Sequence, residues 1–308
     1  MKDSTKALSK ELGWRNAEKA AHCFFYAKYL ARYIYHIGKK VGLVEREPPG
    51  IVPSDIDEVL EIYANKVIRD SLSPETSTYH GKVVPLSHAE DLVRVEEDIE
   101  LRDLEKVIPF KIARDIVLVN PSNIVLLDCA CRTLQNEPCL PLGVCLAVGD
   151  PFASFLLEHG VMNARRITSE EAVGVLRAEH SRGHVHTAYF KDVTGGRFYA
   201  ICNCCSCCCV GMRAYTRLGT PMLAASGYVA AVSGDCNACG ECAAACPFDA
   251  VSVGETAVVD VERCMGCGVC EGVCESGAVG LKLDPSKGEP LDIKKLISES
   301  MNGNESRG

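Results

Sequence analysis

No run of about 18 uncharged apolar residues occurs in this chain of 308 residues, so a membrane-spanning helix is not expected. Met1 to Gly13 is polar, carries lysines and lacks an apolar h-region, so no secretory leader is expected either. Neither G-x-G-x-x-G nor G-x-x-x-x-G-K-[ST] is present, which leaves nucleotide binding without sequence support. A surplus of positive charge is also missing. The formal net charge is −8, which argues against a nucleic-acid backbone as partner.

Cysteine is what the chain has in abundance, with 19 in all. A hydrophobic content of 47% supports real cores, so these thiols are not the staples of a small secreted scaffold. A reducing, cytoplasmic compartment is expected. The ease with which clusters and thiolates oxidise adds an oxygen-poor, anaerobic setting. The length suits about two domains of ~150 residues.

Eight cysteines repeat at an offset of 28 residues. Cys236, Cys239, Cys242 and Cys246 form C-x2-C-x2-C-x3-C, followed by Pro247, and Cys264, Cys267, Cys270 and Cys274 repeat the spacing. Iron in a cubane needs four soft thiolates. A tight loop can wrap three around one face, and the fourth must come from elsewhere. Crossed ligation meets that need, because each run's fourth cysteine serves the other run's cluster. The first cluster is therefore assigned to Cys236, Cys239, Cys242 and Cys274, and the second to Cys264, Cys267, Cys270 and Cys246. Gly240 and Gly266 lie inside the loops, where close backbone approach aims N–H groups at sulfur. A pair of zinc sites would also use C-x2-C pairs but does not account for the duplicated 2-2-3 spacing. The segment resembles bacterial two-[4Fe-4S] ferredoxins, with Glu275 where a second proline is often found.

Ten further cysteines form two groups. One is Cys129, Cys131, Cys139 and Cys145. The other is Cys202, Cys204, Cys205, Cys207, Cys208 and Cys209. At a strand end, residues two apart point the same way, so Cys129 pairs with Cys131 and Cys202 with Cys204. Adjacent cysteines point apart, which makes two metal loci or one large cluster a better fit than one cubane. Three readings stay open: one or two further [4Fe-4S] clusters, an unusual cluster that binds substrate or reaches a very low potential, and structural zinc or redox-active thiols. Arg132 and Arg213 are placed to offset thiolate charge. His180, His184 and His186 precede the second group. They read either as ligands or proton donors, His186 foremost, or as a solvated helix end. Cys23 reads as a packed hydrophobe.

The expected fold class is α+β. Its parts are a helical N-terminal region (1–75), a mixed α/β cysteine-rich module (76–226), a two-cluster ferredoxin domain (227–284) and a short helix with a disordered tail (285–308). Residues 14 to 38 read as one helix whose Lys28, Arg32 and His36 make a cationic stripe, which suits a membrane surface, a partner, or plain packing. A helix is expected over 54–71, and another, opened by Pro109, over 110–119. Ser87 with Glu90 and Thr168 with Glu171 read as capping boxes. Short strands are expected at 82–85, 124–127, 198–201, 228–232, 251–253, 258–261 and 279–282. Residues 150–182 read as mainly helical, with Gly183 as the stop, and 73–80 as a loop.

The pieces Asp128-Cys129-Ala130-Cys131-Arg132, Pro138-Cys139, Cys145 and Ile201 through Cys209, ahead of the ferredoxin motif, resemble a group of iron–sulfur proteins of anaerobic bacteria and archaea. That resemblance implies iron–sulfur binding in the ten-cysteine module and assigns no activity. The expected function is a multi-cluster electron carrier that works with a redox protein partner. A reductase acting at the ten-cysteine site and a redox sensor are the alternatives. Nothing in the sequence fixes catalytic residues or an oligomeric state.

Overall fold

A computed structural model describes residues 1–11, 16–71, 79–102, 104–110 and 115–305. Helices α1 (Asp3–Glu11), α2 (Ala17–Lys28), α3 (Leu30–Lys40) and α4 (Ser54–Asp70) come first. A cysteine-bearing sheet with interleaved helices follows: β1 (Tyr79–Val83), α5 (Leu86–Val93), β2 (Ile99–Leu101), β3 (Ile116–Asp128), α6 (Ala130–Thr133), β4 (Gly143–Asp150), α7 (Phe152–His159), β5 (Arg165–Ile167), α8 (Ser169–Ser181), β6 (Val185–Lys191), β7 (Arg197–Cys204), α9 (Val210–Leu218) and β8 (Leu223–Ala224). The C-terminal part holds β9 (Tyr228–Val232), α10 (Glu241–Ala245), β10 (Val251–Val253), β11 (Ala257–Val259), α11 (Val269–Gly272), β12 (Val279–Leu283) and α12 (Ile293–Glu305). The class is α+β as expected.

The large sheet runs β2-β3-β4-β7-β6-β1-β8, with β5 added to β3. It is antiparallel except for the β1–β8 pair. Alternation along the strands divides the core in two. Val125, Leu127 and Ala147 face one layer with Tyr26, Phe155 and the ferredoxin-type part, while Ile124, Leu126, Leu146 and Val148 face another with Leu92 and Leu176. Both faces of the sheet are thus covered. The N-terminal helices and the cysteines share the first of these faces.

Several expectations are corrected. The helix over 14–38 is two helices, broken at Tyr29, whose φ of −117° and ψ of 40° leave the helical region. The break lets His22 of α2 meet the hydroxyl of Tyr33 of α3 at 2.7 Å. The cationic stripe faces inward to partners: Arg32 holds Asp57 through two nitrogens, His36 reaches the same carboxylate, and Lys28 donates to the His159 carbonyl.

The expected helix over 110–119 is instead the start of β3, with residues 111–114 outside the described set. Pairing with β2 decides the matter, since Ile116, Val117 and Leu118 each find a partner across the ladder. Asn120-Pro121-Ser122 is absorbed within β3 as a register shift between Val119 and Ile124. Ser87 caps nothing. The helix starts behind Pro85, and the buried Glu90 pairs with Arg94 and Arg177. Thr168 does cap α8, accepting from the Glu171 amide. The stretch from 150 to 182 contains a strand, β5, between its two helices. The C-terminal helix is longer than the short one expected, running from Ile293 to Glu305. Among the described residues no helix is long and apolar enough to cross a membrane.

Candidate metal centres

The second ferredoxin set is drawn together. Cys246, Cys264, Cys267 and Cys270 all line one cavity of about 10 Å3. Its walls are Gly266 and Gly268, both at positive φ. A Cβ on Gly266 would lie 2.2 Å from the Tyr228 carbonyl, so only glycine lets the loop close onto β9. Backbone amides point at the sulfurs: Ala230 N–H to Cys264 at 3.4 Å and Ala250 N–H to Cys246 at 3.3 Å. Burial pushes the Cys270 thiol up to about 12. Without metal these thiols are therefore neutral, and a cluster would supply the cationic iron that a buried thiolate needs.

The first ferredoxin set is nearer the surface. Cys242 is buried, Cys236 and Cys274 are half-buried, and Cys239 is exposed. Ala257 N–H points at Cys236 Sγ from 3.4 Å. Cys274 lies 3.5 Å from the Ser276 hydroxyl, which holds its thiol below the ordinary range. The donor types and the amide-to-sulfur contacts in both sets fit cubane clusters.

The ten upstream thiols separate into two sets. Cys139, Cys205, Cys207 and Cys208 have sulfurs all within 4.8 Å of one another, with Cys139 and Cys207 at 2.7 Å. Cys207 is exposed, and the Cys139 amide donates to Cys208 Sγ at 3.4 Å. Four thiols this close form a plausible tetrahedral sulfur site.

The other six close a ring. Cys129 contacts Cys131 and Cys145, Cys145 contacts Cys202, Cys202 contacts Cys204, and Cys204 contacts Cys209, which returns to Cys131. Sheet register builds half of the ring. Opposing Leu146 with Ile201 sets Cys145 of β4 beside Cys202 of β7, and Cys204 follows on the same face of β7. Cys129 and Cys131 converge differently from expectation. The first precedes α6 and the second lies in it, so a strand-to-helix turn brings them together rather than strand alternation. Cys209 is the N-cap of α9 and accepts from the Met212 amide at 3.4 Å. Hydrogen bonds from Cys131 and Cys204 hold Cys209 well below the ordinary thiol range, and those from Cys131 and Cys145 do the same for Cys129. The six-residue ring lines a cavity of about 70 Å3.

Consecutive cysteines therefore serve different sets. Cys204 and Cys209 belong to the ring, while Cys205 and Cys208 between them belong to the four-thiol set. Neither spacing nor propensity could separate them, because the division depends on where β7 ends and α9 begins.

Arg132 is fully buried beneath the site. It donates to Glu179 at 2.5 Å, to the Pro141 carbonyl at 2.6 Å and to the Asn203 carbonyl at 3.3 Å. Burial opposes its charge, but Glu179 and the nearby Cys129 more than offset that and raise its pKa. Arg213 is buried too and donates to the Leu43 carbonyl. The histidines are not a solvated helix end. His184 and His186 are buried, His184 on Glu179 at 2.7 Å and His186 on the Asn203 side chain at 2.6 Å. Burial lowers His186 to about 4. His180 stacks on His186 and also abuts the ferredoxin-type part: a Cβ on Gly272 would lie 2.9 Å from its Nε2. Sequence reasoning missed Lys191 and Tyr26. Lys191 is buried over the Tyr26 and Tyr33 rings and lines, with Cys131, a second cavity of about 190 Å3. Cys23 is buried with its thiol raised to about 12 by burial, as a packed hydrophobe should be.

Residues 232–252 and 257–279 match the family described as 4Fe-4S binding domain. The two matches fall on the two cysteine runs, and the C-terminal part is a ferredoxin-type iron–sulfur domain. No curated protein and no solved structure matches the chain.

Proposed function

We propose that this protein is a multi-cluster electron carrier, in which the ferredoxin-type domain relays low-potential electrons between a redox partner protein and the ten-cysteine centres. Iron–sulfur clusters, when bound, supply one-electron storage without bond cleavage. The observation that carries the reading is a continuous line of contacts. Gly272 of the second ferredoxin loop meets His180, His180 stacks on His186, and His186 bonds Asn203, which stands between Cys202 and Cys204 of the ring. Burial gives the line a direction in space. The exposed Cys239 marks the end a partner can approach, and the buried Cys264, Cys267 and Cys270 mark the end that faces inward. So many thiols suit an anaerobic cytoplasm.

Freeze-quench EPR after a pulse of reductant tests the relay. The upstream signal should follow the ferredoxin signal in the intact chain and lag behind it in His180→Ala. An upstream signal that never responds while the ferredoxin clusters stay reduced would sink the reading. A reductase is the second reading, and one observation favours it: the cavity of about 190 Å3 shares Cys131 with the ring, so a small molecule held there would touch the ring's edge. A small molecule that alters the upstream signal would support that reading.

A further inference from the structure

The two upstream thiol sets are unequal, and the inequality bears on what each can hold. A [4Fe-4S] cube takes four thiolates. The four-thiol set supplies that number and no more. The ring supplies six, and its contacts offer no natural division into four and two: each thiol bonds a neighbour on either side, and the chain of contacts closes on itself. A cube inside it would use four of the six sulfurs and leave two of the ring's members outside the metal they encircle.

The molecule carries its own scale for the space needed. The four thiols of the second ferredoxin set line a cavity of about 10 Å3, and that set has the spacing of a cube's ligands. The six ring thiols line, together with Cys205 and apolar side chains such as Leu127 and Phe152, a chamber of about 70 Å3. The larger number of donors thus comes with a larger chamber. A buried cation also lines this chamber: Arg132, fully buried, lies beside Cys129.

We propose that Cys129, Cys131, Cys145, Cys202, Cys204 and Cys209 jointly hold a single iron–sulfur cluster of more than four irons, and that Cys139, Cys205, Cys207 and Cys208 form a separate four-thiolate metal centre. The inference deepens the relay reading by naming what its inner terminus holds. It rests on that reading only in that the upstream thiols bind iron. A relay that fails while the iron count stands would overturn the first and leave the second.

The test is iron and sulfide analysis with EPR on the full chain purified without oxygen, comparing Cys202→Ser and Cys145→Ser with Cys207→Ser. Each ring substitution should remove more than about four irons per chain together with one shared signal. Cys207→Ser should remove about four irons or fewer and leave that signal intact. Ring variants that lose about four irons or fewer, or a ring signal abolished by Cys207→Ser, would overturn the proposal. Diffraction of the intact chain at the iron absorption edge gives an answer free of folding defects. One compact group of more than four iron peaks within the six sulfurs is the supporting result, and two separate groups or a lone cube there the opposing one.

Discussion

The imidazole of His180 stacks on that of His186 at 5.4 Å with an angle of 18° between the rings, and on its other side it rests against Gly272. One half-buried side chain is thus a contact between the ferredoxin-type domain and the element that leads to the six-thiol ring. Gly272→Ala keeps helical backbone but drives a methyl group to 2.9 Å from His180 Nε2. We expect a loss of about 1 kcal/mol in unfolding free energy and slower reduction of the upstream centres. His180→Ala added to Gly272→Ala should restore the stability without restoring the rate. Denaturant titration and freeze-quench EPR read the two effects separately.

Arg132 and Glu179 form an ion pair whose side chains are each only 1% exposed. Arg132→Met leaves the carboxylate with Arg182 and His184 alone, and should cost about 3 kcal/mol or more. Replacing both partners with apolar residues, Arg132→Met with Glu179→Leu, should recover most of that. Urea unfolding of the two single variants and the double variant closes the cycle. Equal loss in all three would argue against the pairing.

Burial lowers Lys191 from its ordinary 10.5 to about 7 and Lys82 to about 8. Above the folded values and below 10.5, the unfolded chain binds protons that the folded chain lacks, so stability should rise with pH across that window. Below about pH 7 both are charged in either state, and the full burial penalty is present. Lys191→Met should flatten the rise and stabilise the protein most at pH 7 and below. Unfolding midpoints measured from pH 6.5 to 10 check the slope.

Cys139 and Cys207 sulfurs lie 2.7 Å apart, and Cys207 is exposed. After chelator removal of metal, mild oxidation should couple this pair first, ahead of the buried ring. Peptide mapping by mass spectrometry identifies the linkage. Metal bound at the four-thiol set should suppress it, and a ring disulfide appearing first would contradict the assignment.

How much was visible beforehand differs from residue to residue. The ferredoxin ligands were legible because their order is local: a fixed spacing encodes a loop that wraps one cluster. Cys202 and Cys204 were legible as a strand pair for the same reason. The start of β3 was not. Ile116 to Leu118 take strand geometry from pairing with Ile99 to Leu101, and a helical apolar pattern in isolation gave no sign of that partner. The six-and-four division was equally hidden, since the ring depends on β4 lying beside β7, more than fifty residues away along the chain. The histidines lay between these cases. Their spacing marked them out, but only packing of α11 against α8 gave His180 its neighbour.

The interleaving of Cys204, Cys205, Cys208 and Cys209 has a consequence for what the run will tolerate. Turns near a surface ordinarily absorb a residue gained or lost. Here a single deletion between Cys204 and Cys209 would shift every sulfur after it, turning toward the ring one that serves the four-thiol set and away from it one that the ring needs. Two centres would be damaged by one missing residue that is itself no ligand. Deleting Ser206 should therefore be as disabling as removing a cysteine from each set.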